Sequence, residues 1–263
     1  MTEHDERRTI VHEVEVPGTP QQVWDAIATG PGISAWFVPA EVDGRPGGDL
    51  AFHLMHDLDQ TGTITGWEPP ARFAYEERWP GEDDVTLATE FLVEARAGGT
   101  CVVRLVSTFS AGGRDEDLDA MDDGWTLFLD NLRVFLTHFR GQRAAGVLVT
   151  GVSPASPAAA WAELMSALGL EGVAPGAEIA AGAVGGAPAL AGVVERVGAD
   201  EVYLRSDDAL TNVSVFSWDD RTVTALRETR FGPDAEAEAE RRRTAWTAWM
   251  EQRFPATTVE PSA

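Results

Sequence analysis

Two stretches of this 263-residue sequence share one pattern, and that repetition restricts the possible folds more than any other feature of the chain. Residues 9–27 and 146–164 each contain a short β-rich run, a turn, and the motif Pro-x-x-apolar-Trp, which opens a helix. Proline suits the first turn of a helix, because its missing N–H needs no partner there. The motif residues lie at a constant offset of 137, with Pro20 and Trp24 in the first stretch and Pro157 and Trp161 in the second.

The two stretches also lead to similar ends. Trp125–Leu129 matches Trp246–Met250 at an offset of 121 residues. We therefore predict a tandem duplication with a boundary near Gln142, which gives a first domain over 1–142 and a shorter, divergent second domain over 143–263. The alternative is one domain followed by an unrelated helical tail.

The first copy has the pattern of an α+β unit. Thr9–Val16 alternates apolar and polar residues as a half-buried strand does, a helix is predicted from Pro20 to about Thr29, and a second short helix is predicted over Ile33–Phe37. Further strands are predicted around 38–43, 48–56, 61–68, 72–79, 86–95 and 100–109. Apolar residues at spacings of three and four indicate a terminal helix over Met121–Phe139, preceded by acidic residues. We expect that helix to cross one face of a curved antiparallel sheet.

These residues resemble a known superfamily. The order of elements, the motif Thr-Pro-x-x-Val-Trp, Ile33–Phe37, Gly47-Gly48 and the run Glu68–Tyr75 are similar to the START-like (SRPBCC) superfamily. The nearest branch is the one named for the activator of the heat-shock chaperone ATPase (Aha-like). The resemblance covers nearly all of the first copy. In the second it depends on the Pro–Trp motif, the terminal helix and strand-like runs at 190–197, 201–206, 211–218 and 221–230. It implies two tandem helix-grip domains, each with a sheet around a long helix and, in the family, a mostly apolar cavity between them.

The charge of the chain excludes several classes of function. It has 43 acidic residues and 20 basic ones, all of them Arg, for a net charge of −23. Without Lys there is no Schiff-base chemistry and no P-loop nucleotide site. The negative field disfavours nucleic acid and anionic membrane. We predict no metal and no cofactor, and the acidic run Asp115–Asp123 lacks the spacing of a calcium loop. The lone Cys101, and the lack of a signal peptide or a long apolar run, predict a soluble cytoplasmic protein.

Strand 72–79 carries the most informative candidate. Alternation places Phe73, Tyr75, Glu77 and Trp79 on one face, which we expect to point inward. The resembling family often has an aromatic residue where Glu77 stands. A carboxyl group in an apolar cavity should have a raised pKa and could serve as acid, base or polar anchor. The alternative is a strand-end Glu that reaches solvent or pairs with Arg.

The remaining candidates surround the same predicted cavity. Alternation along 50–56 sends His56 inward and His53 to the opposite face, so a shared metal is not expected; a solvent-exposed, strand-end His56 is the alternative. The apolar stripe of the terminal helix is either a cavity wall or plain core. The predicted ligand-binding residues are Phe52, His56, Tyr75, Glu77, Trp79, Phe91, Phe109, Trp125 and Leu129.

The second copy has a reduced pattern. Gly169–Gly192 is rich in Gly and Ala, and it replaces the segment that supplies aromatic residues in the first copy. We favour a collapsed, structural second domain over one with an enlarged cavity. On its terminal helix, Glu238–Arg242 and Glu240–Arg243 are predicted to form surface ion pairs at helical spacing.

These observations favour a protein that binds a small hydrophobic molecule, aromatic or polycyclic, lipid-like or polyketide-like, in the cavity of the first domain. One alternative is a polyketide cyclase-like enzyme that uses Glu77 or His56 as acid–base. The other is a protein-interaction or co-chaperone-like module, although no sequence feature points to a protein partner.

Overall fold

The computed structural model describes residues 8–55, 58–78, 85–110, 115–181, 186–218 and 220–255. Its internal contacts divide the chain into two compact units, residues 1–141 and 142–263. Each unit contains one antiparallel sheet and a long C-terminal helix. Both are α+β units of the helix-grip type.

The first unit has a seven-stranded sheet in the order β1-β7-β6-β5-β4-β3-β2. Two helices follow the first strand and one long helix closes the unit. The elements are β1 (Arg8–Pro17), α1 (Pro20–Ile27), α2 (Gly30–Ser34), β2 (Ala40–Val42), β3 (Asp49–Met55), β4 (Leu58–Glu68), β5 (Arg72–Arg78), β6 (Thr86–Ala95), β7 (Thr100–Phe109) and α3 (Asp115–His138). The predicted strands are all present, with ends that shift by up to three residues.

Local sequence explains where the first two helices begin. Thr19 caps α1, because its hydroxyl accepts a hydrogen bond from the N–H of Gln22. The side-chain oxygen of Gln22 in turn accepts a hydrogen bond from the N–H of Thr19. The predicted position of the second helix, Ile33–Phe37, was wrong, because α2 begins at Gly30. The Thr29 hydroxyl accepts the Gly32 N–H at 3.1 Å, so Gly30-Pro31-Gly32 forms the first turn of a capped helix.

The long helix also begins earlier than predicted. The apolar stripe indicated a start at Met121 after an acidic run, but α3 starts at Asp115. The acidic residues therefore form its first turns, where the positive end of the helix dipole favours negative charge. Further along α3, the side chains of Trp125, Leu129 and Leu132 are buried.

The second unit has a six-stranded sheet in the order β8-β13-β12-β11-β10-β9. A single helix follows its first strand, and there is one edge strand fewer than in the first unit. Strand β9 lies in the Gly/Ala-rich stretch and was not predicted, because that stretch does not alternate apolar and polar residues. The elements are β8 (Ala144–Ser153), α4 (Pro157–Leu168), β9 (Glu178–Ala181), β10 (Leu190–Val197), β11 (Glu201–Arg205), β12 (Ala209–Trp218), β13 (Arg221–Phe231) and α5 (Ala235–Arg253).

None of the helices in the described residues has the length and apolar character required to cross a membrane.

Candidate functional site

A cavity lined by aromatic rings lies between the sheet and α3 of the first unit. The free space left among the rings is about 10 Å³, no more than one water molecule needs. The lining residues come from α1, α2, the turn after α2, strands β3, β5 and β6, and helix α3: Ile27, Ile33, Trp36, Phe37, Phe52, Phe73, Tyr75, Phe91 and Trp125.

Phe37 packs against other aromatic rings at this cavity and is itself only partly buried. Its ring stacks on Trp125 of α3 at a centroid distance of 5.9 Å and meets Phe52 of β3 edge-on at 5.6 Å. A third contact, with Phe128 of α3, is edge-on at 4.4 Å. Phe37 follows the end of α2 in an irregular turn, whereas the indole N–H of neighbouring Trp36 is held by the Ala26 carbonyl at 3.0 Å. Phe37 is thus the least buried of the lining residues and lies on an irregular turn.

The sheet side of the cavity carries a short row of buried hydroxyl groups. Tyr75, Thr89 and Ser107 are paired neighbours on β5, β6 and β7, and all three are buried. The Tyr75 hydroxyl hydrogen-bonds with the Thr89 side chain, and burial raises its pKa well above the usual value. The Thr89 and Ser107 hydroxyls are 3.2 Å apart. These hydroxyls satisfy one another, as buried polar groups usually do.

Trp125 departs from that rule. Its side chain is buried and lines the cavity, yet its indole Nε1–H has no hydrogen-bond partner among the described residues. An unpaired buried donor costs about 1–3 kcal/mol, so such a group marks a place where a partner would be stabilising. Trp125, which lines this mostly apolar cavity, therefore carries a buried donor without a partner in the described part of the chain.

Glu77 lies on the interior face of the sheet, one inward position beyond Tyr75 on β5. In its row across the sheet, Leu50, Leu87 and Phe109 are buried apolar side chains. Burial raises the pKa of the Glu77 carboxyl to about 7, although a hydrogen bond from Gln60 opposes the shift. Its Oε2 has no hydrogen-bond partner in the described part of the chain. Near neutral pH this carboxyl can both give and take a proton.

The position of Glu77 along the strand separates it from the aromatic cavity. It does not line that cavity; it borders an open groove at the ends of β3 to β6 instead. Gly62, directly opposite on β4, has no side chain to cover it. The carboxyl group is therefore held between an apolar interior and a groove that is open to solvent.

The structure groups the predicted ligand-binding residues unevenly. Four of them line the cavity: Phe52, Tyr75, Phe91 and Trp125. Glu77 borders the groove, and Phe109 and Leu129 are buried without lining the cavity. His56 and Trp79 lie outside the described residues.

The nearby His53 belongs to the surface. Its Nδ1 is 2.8 Å from Asp59 Oδ1, and this hydrogen bond raises the pKa of the imidazole. Nowhere in the described ranges do three or more His, Cys, Asp or Glu side chains gather in a way that could hold a metal ion.

Five lining residues were not among the predicted site residues: Ile27, Ile33, Trp36, Phe37 and Phe73. Phe73 shares the alternating face of β5 with Tyr75, so strand periodicity was a sufficient signal for it. Trp36 and Phe37 belong to the aromatic run that follows α2, but nothing in local sequence indicates that they turn toward α3.

The equivalent region of the second unit contains an ionic network. Glu228 of β13 is fully buried, and Arg242 of α5 binds it with two nitrogens, Nε at 2.9 Å from Oε1 and Nη2 at 2.7 Å from Oε2. The indole N–H of Trp246 donates to Glu228 Oε2 at 3.3 Å, and Arg230 Nη1 lies 3.4 Å from Oε1. We refer to Glu228, Arg230, Arg242 and Trp246 as the ionic network.

This network corrects one of the predicted ion pairs. The i,i+4 spacing predicted that Glu238 pairs with Arg242, but Glu238 binds Arg241 and Arg242 turns inward. The buried carboxylate is the stronger partner, because it has no access to water. The predicted Glu240–Arg243 pair is present and therefore confirmed.

One family model and several solved structures are similar to part or most of this chain. The family model described as "Activator of Hsp90 ATPase homolog 1-like protein" matches residues 17–137. No curated relative matches the chain. Among solved structures, the chain is similar to the di-domain ARO/CYC BexL from the BE-7585A biosynthetic pathway, at 14% identity over 95% of this chain and 99% of BexL, with a TM-score of 0.45.

Two further solved structures are similar. DynU16 of the dynemicin biosynthetic locus is 16% identical over 92% of this chain and 95% of its own, with a TM-score of 0.44. CalU16 from Micromonospora echinospora is 23% identical over 50% of this chain and 77% of its own, with a TM-score of 0.43. The family match falls entirely within the first unit.

Proposed function

We propose that the first unit binds a small hydrophobic ligand, aromatic or polycyclic, between its sheet and α3. The observation that carries this proposal is the aromatic cavity with one unpaired buried donor, Trp125 Nε1–H. Ligand sites are typically concave and apolar, with a small number of polar groups that orient the ligand. The cavity has both properties.

Its size indicates how a ligand would enter. Typical ligand pockets measure about 300–1,000 Å³, whereas the free space among these rings is about 10 Å³. A bound ring system would therefore displace one of the lining rings. Phe37 is the candidate, because it is the one lining residue that is only partly buried and it lies on the irregular turn after α2. Because a ring of the ligand would take the place of the Phe37 ring, the interior would stay filled.

One observation favours a second candidate function, an enzyme that uses acid–base chemistry of the polyketide cyclase type. Glu77 has a carboxyl pKa of about 7 and an unpaired Oε2 among the described residues. A general acid or base is most effective when its pKa is near the working pH. Glu77 borders the open groove, however, so a substrate would have to extend from the cavity to that end of the sheet.

The other predicted alternative, a protein-interaction module, has no comparable observation in its favour. In the described part of the chain, the exposed large hydrophobic side chains are Val11 and Trp218. Single exposed residues of this kind are ordinary on protein surfaces.

Filling the cavity tests the binding function. Ile33→Phe adds a ring to the wall contributed by α2, and we expect it to weaken binding of the bicyclic hydrocarbon indane at least tenfold, measured by calorimetric titration. Ile179→Phe is the matched control in the second unit, where Ile179 packs against that unit's own core; it should leave the affinity unchanged. Thermal melting checks that both variants are folded. Wild-type protein that does not bind indane would overturn the proposal.

Native mass spectrometry of protein purified from its own host tests the enzyme candidate. A retained small molecule, once identified, would be incubated with wild-type protein and with Glu77→Gln. Recovery of the unchanged molecule from both favours a binding protein. A product that forms with wild type and at least tenfold more slowly with Glu77→Gln favours the enzyme.

A further inference from the structure

The two units can be aligned residue by residue, because their strand pairing repeats. Ile10 pairs with Ser107 between β1 and β7, and Val147 pairs with Glu228 between β8 and β13. These pairs are related by the same two offsets, 137 and 121, that relate the sequence motifs. Glu228 therefore occupies in the second unit the position that Ser107 occupies in the first.

The same offset of 121 relates the residues of the closing helices. Trp246 corresponds to Trp125, and Arg242 corresponds to Met121. In the second unit the indole N–H of Trp246 is accepted by the Glu228 carboxylate, which Arg242 neutralises. In the first unit the corresponding serine is too short to replace that carboxylate, and its hydroxyl is engaged with Thr89. The equivalent tryptophan donor is thus left without an acceptor among the described residues.

We infer that the ligand of the first unit supplies this missing acceptor. The acceptor is a carbonyl oxygen on an aromatic ring system, and it accepts a hydrogen bond from Trp125 Nε1–H. The inference rests on the proposed binding function. It narrows the ligand from any apolar ring system to an aromatic ketone or a related ring carbonyl.

The charge of the site favours a neutral carbonyl over a carboxylate or phosphate. None of the nine lining residues carries a charge, so a buried anion would have no counter-ion there. Over residues 1–142 the sequence has 26 acidic residues against 10 Arg, which adds long-range repulsion of anions. A planar ring is also suited to the stacked geometry that Phe37 adopts on Trp125.

A matched pair of probes separates the contribution of the hydrogen bond to the binding affinity from the contribution of ring burial. 1-Indanone and indane have the same bicyclic frame, and the ketone has a carbonyl where the hydrocarbon has a methylene. We expect Trp125→Phe, which keeps an aromatic ring but removes the N–H, to weaken binding of 1-indanone about tenfold more than binding of indane. Trp246→Phe is the control, because that N–H is already paired within the second unit. It should leave the ratio of the two affinities at the wild-type value.

Infrared spectroscopy of bound 1-indanone gives a second measurement. We expect its carbonyl stretch to lie at lower frequency in wild-type protein than in Trp125→Phe, because a hydrogen bond weakens the C=O bond. If Trp125→Phe does not fold, replacement of Trp125 by benzothienylalanine removes the N–H and keeps the bicyclic shape.

The outcomes separate this inference from the binding function. Binding of both probes, with an affinity ratio and a carbonyl frequency that do not change on loss of the N–H, would overturn the inference and leave the binding function intact. Failure of the wild-type protein to bind either probe would overturn both.

Discussion

The interiors of the two units differ although their frames correspond. In the first unit the space between sheet and helix is bounded by aromatic rings, and its buried polar groups are mainly hydroxyls. In the second unit, a carboxylate and two guanidinium groups occupy the corresponding positions. The strand pairing that holds these positions is the same in both.

Three positions account for much of this difference. Ser107, Phe109 and Met121 of the first unit correspond to Glu228, Arg230 and Arg242 of the second, all at an offset of 121. A charged group on the strand requires a charged group on the helix, because an unpaired buried charge is costly. The comparison shows that the same strand pairing can hold either uncharged side chains or a coupled set of charges at these three positions.

The largest predicted effect comes from breaking the ionic network. Arg242→Met introduces the residue that the first unit has at this position and leaves Glu228 buried without its main partner. We expect the second unit to lose about 3–5 kcal/mol of its free energy of unfolding, measured by urea denaturation. Arg241→Met is the control, since Arg241 forms an exposed pair with Glu238 and should contribute less than about 1 kcal/mol. Equal effects of the two substitutions would show that the network does not stabilise the second unit.

An intermediate effect concerns Glu77, whose carboxyl pKa is raised by burial on the interior face of the first unit. The pKa of Glu77 is about 7 in the folded chain and about 4.5 in a model peptide. The folded state therefore holds its proton more tightly, and this favourable contribution is lost as the pH rises from about 4.5 through 7. Relative to Glu77→Gln, we expect wild-type protein to lose about 2–3 kcal/mol of unfolding free energy between pH 4.5 and 8.

The control for this prediction is Glu77→Leu, which also lacks a titratable group and should follow the pH dependence of Glu77→Gln. Wild-type protein that follows the same pH dependence as both variants would show that the Glu77 carboxyl is not perturbed by burial.

The smallest effect compares one substitution in two places. Trp246→Phe removes a hydrogen bond to a buried carboxylate, whereas Trp125→Phe removes a donor with no partner among the described residues. Loss of ring area is similar in both, so we expect Trp246→Phe to cost about 1–2 kcal/mol more in the thermal unfolding of its own unit. A larger loss for Trp125→Phe would mean that its N–H is paired in the free protein.

Much of the fold could be predicted from periodicity. The repeated Pro–Trp motif, the alternation along the strands and the apolar stripe of α3 each appear in the structure as the predicted type of element. The errors occur where one local sequence is compatible with two different local structures. Gly30-Pro31-Gly32 resembles a helix break, but the Thr29 cap turns it into a helix start.

The sequence predicted those site residues whose orientation is determined by a single strand. It did not predict those whose position depends on how several elements pack together. Alternation assigned Tyr75 and Glu77 to the interior face, but it could not show that the cavity ends before Glu77, because α3 and α2 determine where the cavity lies. Phe37 reaches the cavity through the path of the chain after α2. The inward turn of Arg242 was hidden for a similar reason, since its partner Glu228 is on β13 and local spacing suggested Glu238.

The paired charges of the second unit also restrict how the duplicated copies can change over time. To replace the ionic network with the uncharged residues of the first unit, the second copy would have to lose both Glu228 and Arg242. Either loss alone removes about 3–5 kcal/mol from a domain whose whole stability is of the order of 5–15 kcal/mol. Selection for folded protein acts against each single mutant, so we expect the two residues to change together.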